Sequence, residues 1–312
     1  MRFSPLFWPV KLQGKTILIL DETALPQKIV YLSSHGYPDS CAAIKNMKTR
    51  AVGQVLLVMY TFLLEIEKHR NAKTLVSHLE KVARSLNATR PTLSFKMLTD
   101  MVLGWARSGA PLAPTITGFL DMLKARRIEQ AEKASTLLSG NECVLTHCNV
   151  SGLMPLIGEM CRKQNKDISF FVTETRPYLQ GARLTSWELQ RAGFDVTVIS
   201  DTMVAQVMSE DKINSVIVGA DHLALNGDFA NKIGTYQIAL LAKYFEIPLY
   251  VLCPPPSHAQ TGDDIPIEIR PDKELLEFNG VRIAPRGVKG YYPAFDITPA
   301  ELVTRHIFLE IR

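Results

Sequence analysis

The regular alternation of two kinds of segment in the second half of the chain constrains its fold most strongly. From about residue 141, short runs of apolar and β-branched residues alternate with longer segments of helical periodicity. The strand-like runs cover residues 143–146, 168–173, 196–200, 215–219 and 249–253. The segments between them are long enough for the right-handed crossovers that join parallel strands. The sequence therefore predicts an α/β fold with a Rossmann-like, doubly wound parallel sheet of about five or more strands.

The first half of the chain has a different pattern. Helical periodicity covers residues 51–67, 72–86, 92–107 and 115–138, with turn signals between these segments. Residues 16–21 and 28–32 have the composition of two short strands. We therefore expect a mainly helical N-terminal domain with short strands over residues 1–138, and the Rossmann-like domain over residues 139–312.

Composition narrows the class of protein. Of the 312 residues, 46% are hydrophobic, which is enough for a real core, and the formal net charge of +4 is spread along the chain. This charge indicates neither a nucleic-acid partner nor a membrane partner, and no apolar run has the length that spans a bilayer. Prolines interrupt the apolar N-terminal residues, and no small-residue cleavage site follows them.

The cysteines indicate a reducing compartment. They are odd in number, irregularly spaced, and form neither a CxxC pair nor a zinc-finger spacing with histidine. Their positions are Cys41, Cys143, Cys148, Cys161 and Cys253. We therefore expect a cytoplasmic protein.

The end of the first predicted strand of the sheet carries a cysteine beside a histidine. Residues 146–149 read Thr-His-Cys-Asn and precede a turn and a helical run. A thiol at the carboxyl end of a strand and near a helix N-terminus can have a lowered pKa, so Cys148 is a candidate reactive group. A buried structural cysteine is the alternative, and His147 points to the opposite face of a strand. No GxGxxG motif follows this strand, so a dinucleotide is not indicated.

The second strand leads into a polar loop over residues 173–185. Glu174 and Arg176 in this loop could pair with each other, which would contribute little at a surface. An arginine followed by a Gln-Gly-Ala entry to a helix also suits a phosphate or a sugar hydroxyl. We expect Gln180 to lie near the substrate.

The fourth strand is followed by an acid, a loop and the start of an apolar helix. Asp221 could accept or donate a proton, although it could also cap a loop or a helix. Asn231 and Lys232, which we expect where the helix opens, could bind a phosphate with the helix N-terminus behind them. The carboxyl ends of parallel strands meet at one edge, so Cys148, Gln180 and Asp221 are expected at the same edge of the sheet.

The C-terminal part of the chain gives weaker signals. Residues 254–290 contain three consecutive prolines and several charges, and we interpret them as a long loop or edge excursion. Thr298 and Pro299 have the residue types that cap and open a helix, so a final helix is expected there.

Several of these blocks resemble a known enzyme family. Residues 173–185 and 219–235 look like the two signature blocks of the methylthioribose-1-phosphate isomerases. These enzymes share a superfamily with ribose-1,5-bisphosphate isomerases and with regulatory subunits of eukaryotic translation initiation factor 2B. Residues 293–302 resemble the C-terminal block and residues 146–149 the cysteine block of the isomerases. Residues 43–51 and 88–92 match more loosely.

The resemblance implies a function and a set of site residues. Cys148 and Asp221 would be the catalytic pair. The residues around the phosphosugar would be Arg50, Ala51, Arg90, Gln180, Asn231 and Lys232. The implied reaction converts an aldose 1-phosphate, either methylthioribose 1-phosphate or 5-deoxyribose 1-phosphate, into the ketose 1-phosphate without a cofactor or metal. The resemblance also implies a homodimer.

Two departures from the family bear on the substrate. Residues 50–54 read Arg-Ala-Val-Gly-Gln and lose the first glycine and the proline of the isomerase motif, which alters the approach of backbone N–H groups to phosphate. Residues 150–157 are shorter and bulkier than the small-residue stretch of the isomerases. A different 5-substituent, a ribose-1,5-bisphosphate substrate or a non-catalytic regulatory protein of the initiation factor 2B type therefore stay open. A bisphosphate would require another cationic cluster, and a purely regulatory protein would not need both Cys148 and Asp221.

Overall fold

The computed structural model describes residues 3–69, 72–90 and 95–310, and these divide into two units. Ser4–Ala125 form the N-terminal unit, and the chain from Arg126 onward forms the C-terminal unit together with Phe3. The division lies within a long helix, α5 (Leu112–Thr136), whereas the sequence analysis places it at the end of that helix.

The N-terminal unit begins with a small antiparallel sheet. Its strands are β1 (Val10–Gln13), β2 (Thr16–Leu20) and β3 (Tyr31–Ser34), with β2 in the middle. The sequence predicts β2 correctly and places β3 three residues early. It misses β1, because a four-residue strand with one lysine and one glutamine has too short an apolar pattern to detect.

The rest of this unit consists of helices that pack against one another. They are α1 (Tyr37–Lys45), α2 (Val52–Lys68), α3 (Ala72–Asn87), α4 (Lys96–Arg107) and the first half of α5. Most residues of α2 are buried, because it packs against α1, α3, α4 and the first two strands. A helix that is apolar on all sides is the pattern expected of such a central position. The predicted helical segment 92–107 corresponds to α4, and its first residues, 92–94, lie outside the described residues.

The C-terminal unit is built on the predicted parallel sheet. Within the described residues its strands are β4 (Glu142–Thr146), β5 (Ile168–Thr173), β6 (Val196–Ile199), β7 (Ser215–Gly219), β10 (Leu249–Cys253) and β14 (Arg305–Phe308). Helices α6 (Leu153–Lys163), α7 (Ser186–Arg191), α8 (Val204–Ser209) and α9 (Thr235–Tyr244) connect them. All five residues of β7 are buried, as expected when helices cover both faces of a sheet. The α/β fold with a Rossmann-like sheet is confirmed.

The order of the strands reverses at the centre of this sheet. The spatial order is β14-β10-β7-β4-β5-β6, so the chain runs outward from β4 in one direction and then outward from β7 in the other. The gap between β4 and β7 is a topological switch point, where ligands of open α/β sheets usually bind.

A second, antiparallel sheet follows β7 and corrects one prediction. It contains β8 (His222–Leu223), β9 (Phe229–Lys232) and β13 (Phe295–Thr298), with β9 in the middle. Asn231 and Lys232 therefore lie on a strand, and α9 begins only at Thr235. The prediction that they open the helix was wrong, because β9 pairs with the short β8 and with β13, which lies far later in the chain, and the sequence carries no local signal of these pairings.

The predicted final helix was also wrong. Thr298 ends β13, and only a 3-10 turn, Ala300–Leu302, follows Pro299 before β14 begins. Pairing of residues 295–298 with β9 fixes Thr298 in an extended conformation, which prevents it from capping a helix. Residues 254–290 form an excursion, as predicted. It contains a 3-10 turn (Gly262–Asp264), α10 (Lys273–Leu276), β11 (Glu277–Phe278) and β12 (Val281–Arg282).

The core of the C-terminal unit surrounds β7. Its buried members include Leu145, Val216, Val218, Ile238 and Val251. These side chains fix the strands whose ends carry the polar residues of interest. None of the helices in the described ranges is both long enough and apolar enough to cross a membrane.

Candidate active site

The two candidate catalytic residues follow neighbouring strands at the switch point. Thr146 of β4 lies opposite Ile217 of β7, and Cys148 and Asp221 come two and four residues later. Neighbouring strands are ~4.8 Å apart, so both residues belong to the same short stretch of the sheet edge. The backbone N–H of Asp221 donates to Ala230 O over 2.8 Å, and its side chain is exposed. Cys148 is only 8% exposed.

The backbone of Cys148 is held in an unusual conformation by two threonines. Its φ is +66°, in the left-handed region that non-glycine residues rarely adopt. Its N–H donates to Thr175 Oγ1 over 3.0 Å, and its carbonyl accepts from Thr185 Oγ1 over 2.6 Å. Both backbone groups of Cys148 are therefore bonded to buried hydroxyls from the segment after β5.

His147 is committed to bonds away from the thiol. Its Nε2 lies 2.9 Å from Ile233 O, and its Nδ1 lies 2.6 Å from Thr173 Oγ1. A carbonyl can only accept, so Nε2 carries the proton and Nδ1 accepts from the threonine hydroxyl. Burial lowers the pKa of His147, which favours this neutral form, although Asp201 opposes the shift. His147 therefore ties β4 to the start of α9.

The loop after β5 presents a buried amide group. Asp201 accepts the backbone N–H groups of Thr175 and Arg176 over 2.8 and 2.7 Å, which fixes the start of the loop. Gln180 is 4% exposed, and its Oε1 is buried with no hydrogen-bond partner among the described residues. A buried oxygen without a donor is costly, so this acceptor suits a hydroxyl or amino group of a ligand.

A π-helical turn, Gly181–Thr185, follows Gln180. A Cβ atom on Gly181 would lie 1.8 Å from Thr173 O, so only glycine fits against β5 at this position. π turns inside helices are frequent at functional sites. The turn joins directly to α7 and delivers Thr185 to the carbonyl of Cys148.

Arg176 contacts the excursion through part of its guanidinium, and its Nη1 is buried with no hydrogen-bond partner among the described residues. Its Nη2 donates to Leu275 O over 3.4 Å, and its guanidinium lies 5.2 Å from the ring centre of Phe278. Arg176 therefore holds the excursion against the loop after β5. Burial raises the pKa of Glu174, Asp201 adds to this shift, and Arg176 opposes it.

Asn231 and Lys232 are both buried at the end of β9. Asn231 Nδ2 donates to Thr235 Oγ1 over 2.9 Å, which joins β9 to the first residue of α9. Lys232 Nζ donates to Ala294 O over 2.8 Å and lies 4.6 Å from the ring centre of Phe295. A buried ammonium group can attract an anion strongly, because little water screens its charge.

Asp296 was missed by the sequence analysis. Its Oδ2 accepts the N–H of Gly234 over 2.7 Å, and it lies opposite Asn231 in the small sheet. Burial raises the pKa of Asp296 to about 6, although the backbone bonds and the charge of Lys232 oppose the shift. This carboxyl occupies the N-terminus of α9, where we expected the helix dipole to favour a phosphate. Asp296 therefore stands in the position predicted for the phosphate. An acid between phenylalanine and isoleucine was the available signal.

Tyr292 was also missed. It is buried, and its carbonyl accepts the N–H of Arg270 over 2.9 Å. Burial raises the pKa of Tyr292 to about 12, and Glu274 acts in the same direction. Arg270 opposes the shift, whereas Cys148 and Glu268 add to it. The phenol therefore stays neutral near Cys148 and can only act as a hydrogen-bond donor or acceptor.

The other candidate residues form a second group, in the N-terminal unit. Arg50 Nε lies 3.1 Å from Glu22 Oε2, and the Arg50 N–H donates to Glu22 Oε1 over 3.0 Å. Arg90 Nη1 donates over 3.1 Å to the oxygen of Gln54, a buried residue of α2. Ala51 is exposed immediately before α2, with φ +43° and ψ −120°. The structure thus gathers Arg50, Ala51 and Arg90 around the start of α2.

The sequence matches a family of known proteins over most of its length. Residues 50–308 match the model of the Initiation factor 2 subunit family. The chain belongs to this family. A methylthioribose-1-phosphate isomerase from Fervidobacterium nodosum is 38% identical, covering 93% of this chain and 90% of that protein. A 5-deoxyribose 1-phosphate isomerase from Bacillus thuringiensis serovar kurstaki is also 38% identical, covering 95% and 92%. The resemblance to the isomerases is therefore confirmed.

Two solved structures of this family have the same fold. A crystal structure of 5-methylthioribose 1-phosphate isomerase from Pyrococcus horikoshii OT3 aligns with a TM-score of 0.83 and 29% identity, over 98% of this chain and 93% of that one. A crystal structure of translation initiation factor eIF-2B, subunit delta, from A. fulgidus aligns equally well, with a TM-score of 0.83 and 32% identity over 97% and 94%. The fold thus occurs both in a protein named as an isomerase and in a protein named as a translation initiation factor subunit.

The described residues contain no group of three or more His, Cys, Asp or Glu side chains that could hold a metal ion.

Proposed function

We propose that the protein is an intramolecular aldose–ketose isomerase acting on methylthioribose 1-phosphate or 5-deoxyribose 1-phosphate. The observation that carries this proposal is the placement of Cys148 and Asp221 after adjacent strands at the switch point. Relatives named for both activities cover at least 90% of this chain, which supports the same class of substrate.

The reaction requires two groups that exchange protons. The bond between C1 and the ring oxygen breaks, the ring oxygen gains a proton, one hydrogen moves from C2 to C1, and the C2 hydroxyl becomes a carbonyl. One group must protonate the ring oxygen and the other must handle the second proton. Cys148 and Asp221 are proposed to share these tasks. The low exposure of Cys148 limits water at the reacting carbons, which favours proton or hydrogen transfer within the site.

The surrounding groups suit a phosphosugar. The buried oxygen of Gln180 would accept a sugar hydroxyl, and Asn231 with Lys232 would bind the phosphate. Arg50, Ala51 and Arg90 are proposed to bind the phosphosugar as well. Tyr292, which lies 6.0 Å from Lys232 Nζ at its ring centre, is a further candidate for the same wall.

Turnover of three sugars tests this proposal. The protein is incubated with methylthioribose 1-phosphate, 5-deoxyribose 1-phosphate and ribose 1,5-bisphosphate, and ketose formation is followed by NMR. Cys148→Ser and Asp221→Asn are expected to lower turnover by at least about a hundredfold, the loss typical of an acid–base group. Cys143→Ser at the other end of β4 and the exposed Asp211→Asn are the matched controls. Unchanged turnover in both Cys148→Ser and Asp221→Asn would disprove the mechanism.

A regulatory binding function is the second candidate. It is favoured by the likeness to the delta-subunit structure, which is as close in fold as the isomerase structure. Binding of a sugar phosphate measured by calorimetry, without any ketose formation, would support this function over the isomerase.

We also propose that the protein is a cytoplasmic homodimer. Tyr236, Leu240 and Tyr244 form an exposed apolar stripe along one face of α9, and such stripes often mark subunit contacts. Sedimentation velocity of the wild type and of Leu240→Glu tests this. A dimer that dissociates in the variant supports a contact through α9, and a monomeric wild type refutes the dimer.

A further inference from the structure

The segment that follows β4 has a strained backbone. We define the cysteine loop as residues 148–152. Within it Cys148, Ser151 and Gly152 have φ values of +66°, +50° and +79°. Each non-glycine residue in this region costs ~1–2 kcal/mol. Such a conformation persists only when its surroundings hold it, so the groups that bond to the loop decide where the Cys148 thiol lies.

A single hydroxyl group bridges the first two residues of the loop. Thr185 Oγ1 donates to Cys148 O over 2.6 Å and accepts from Asn149 Nδ2 over 3.0 Å. Thr185 is fully buried in the π-helical turn. One hydroxyl offers one donor and two acceptor sites, so these two bonds are compatible with each other.

A buried carboxylate holds the side chain of Asn149. Glu188 is 2% exposed, and its Oε1 accepts Asn149 Nδ2 over 2.9 Å. Asn149 Oδ1 accepts the N–H of Ser151 over 3.1 Å, which closes the loop on itself. The amide of Asn149 is thus bonded at both ends, to α7 and to the loop.

A buried guanidinium holds the other end of the loop. Arg127 of α5 donates to Ser151 O and is almost completely buried. Burial lowers the pKa of Arg127 to about 10, and the charge of Glu188 opposes this shift. Arg127 and Glu188 therefore balance each other's charge near the loop. Removing the charge of Glu188 would raise the cost of keeping the Arg127 guanidinium buried.

We propose that Thr185 and Glu188, together with Arg127, are positioning residues that hold the cysteine loop and thereby place the Cys148 thiol at the switch point. None of the three is among the residues proposed to bind the sugar. The catalytic consequence rests on the proposed function, but the placement of the thiol does not, because it can be measured by chemical modification.

Thr185→Val and Thr185→Ser separate the hydroxyl from the shape of the side chain. Valine has the same shape without the donor, and serine keeps the donor. In Thr185→Val we expect alkylation of Cys148 by iodoacetamide to be about tenfold faster, because a loop without this bond opens more often. Thr185→Ser is expected to stay close to the wild type. Cys41, half-buried in α1, is the internal control, because general destabilisation would accelerate its alkylation too.

Turnover is measured on the same variants. We expect Thr185→Val to lower kcat about a hundredfold, as a misplacement of ~1 Å can do, while KM stays nearly constant. Glu188→Gln, which keeps an oxygen for Asn149 but removes the charge facing Arg127, should also lower kcat. Glu159→Gln, which loses an ion pair with Arg162 on the surface of α6, should not.

The outcomes distinguish this proposal from the proposed function. Absence of turnover with every sugar, together with selective acceleration at Cys148, would refute the isomerase and keep the positioning role. The positioning role is refuted if Thr185→Val alkylates Cys148 at the wild-type rate, or if Cys41 accelerates equally.

Discussion

Ala51 has a backbone conformation that glycine adopts at much lower cost. Its φ of +43° and ψ of −120° lie outside the regions favoured by L-residues, and it stands immediately before α2. The isomerases that this chain resembles have a glycine at this point of the motif. At Ala51 the chain therefore lacks the glycine that this backbone conformation favours. The alanine stores strain beside Arg50.

We expect Ala51→Gly to stabilise the protein. Relief of strain worth ~1–3 kcal/mol is partly offset by the greater freedom of glycine in the unfolded chain, which leaves a gain of about 1 kcal/mol. Equilibrium unfolding in urea measures the difference. Ala125→Gly, at an exposed position inside α5, is the control and should lose about 1 kcal/mol. A loss of stability in Ala51→Gly would contradict the strain.

The raised pKa of Asp296 has a predictable effect on stability. The folded protein binds the proton with a pKa of about 6, against 3.8 for the ordinary group. The proton therefore stabilises the fold below about pH 4, and this contribution is lost as the pH rises through about 6. We expect Asp296→Asn to remove a fall of up to about 3 kcal/mol over this range. Thermal unfolding between pH 4 and 7 measures it.

Asp228→Asn is the control for that experiment. Burial alone would raise the pKa of Asp228, but hydrogen bonds from Asn226 and from the backbone of Ala300 and Gly262 outweigh it and lower the pKa. The stability that Asp228 contributes is present above pH 3.8 and lost only as the pH falls further. The difference between Asp228→Asn and the wild type should therefore be flat over the tested range. An equal slope in both variants would exclude Asp296 as the cause.

Whether a strand of the C-terminal unit can be detected in the sequence depends on where that strand finds its partners. β4, β5 and β7 have both faces covered, so their continuous apolar runs identified them. β9 pairs with β13, which lies far later in the chain, as well as with the two-residue β8, and neither β9 nor β13 carries a local pattern that distinguishes a strand from a helix start. The errors at Lys232 and Thr298 have this one cause.

The π-helical turn depends on the absence of a side chain at one position. In Gly181→Ala the new methyl group would meet Thr173 O at 1.8 Å, so the turn would have to move away from β5. We expect a loss of more than ~2 kcal/mol in stability together with loss of turnover, because Gln180 and Thr185 flank the clash. Denaturant unfolding and the NMR assay measure the two effects. Gly118→Ala, in α5 with no described atom within 4 Å of the new methyl, should be neutral or stabilising. A fully active and stable Gly181→Ala variant would refute this account.

Two kinds of candidate site residue could be predicted from the sequence. The first kind stands at the carboxyl end of a parallel strand, and the second lies in a motif that resembles the family. Cys148, Gln180 and Asp221 followed from the strand-end rule, and Arg50 and Arg90 from the resemblance alone. Asp296, Tyr292 and Glu188 were missed because their importance lies in burial and in partners far away in the sequence. A residue at a strand end or in a motif can be recognised from the sequence, whereas a residue that matters through its burial or its distant partners cannot.

The proposed role of Arg90 in substrate binding is testable by substitution. We expect Arg90→Met to raise KM by about ten- to a hundredfold, as loss of a charged hydrogen bond to phosphate would, with a smaller change in kcat. Arg84→Met, at an exposed position in α3, is the control. Steady-state kinetics with the preferred sugar measures both. An unchanged KM in Arg90→Met would remove Arg90 from the proposed site.

The reversal of strand order between β4 and β7 bears on how such proteins diverge. The sheet and its core supply the crevice, whereas the thiol and the carboxylate stand on the two loops that follow β4 and β7. Substitutions in these loops can therefore abolish or redirect chemistry while the scaffold stays intact. An enzyme and a translation-factor subunit can in this way share one architecture and differ in the side chains that these two loops present.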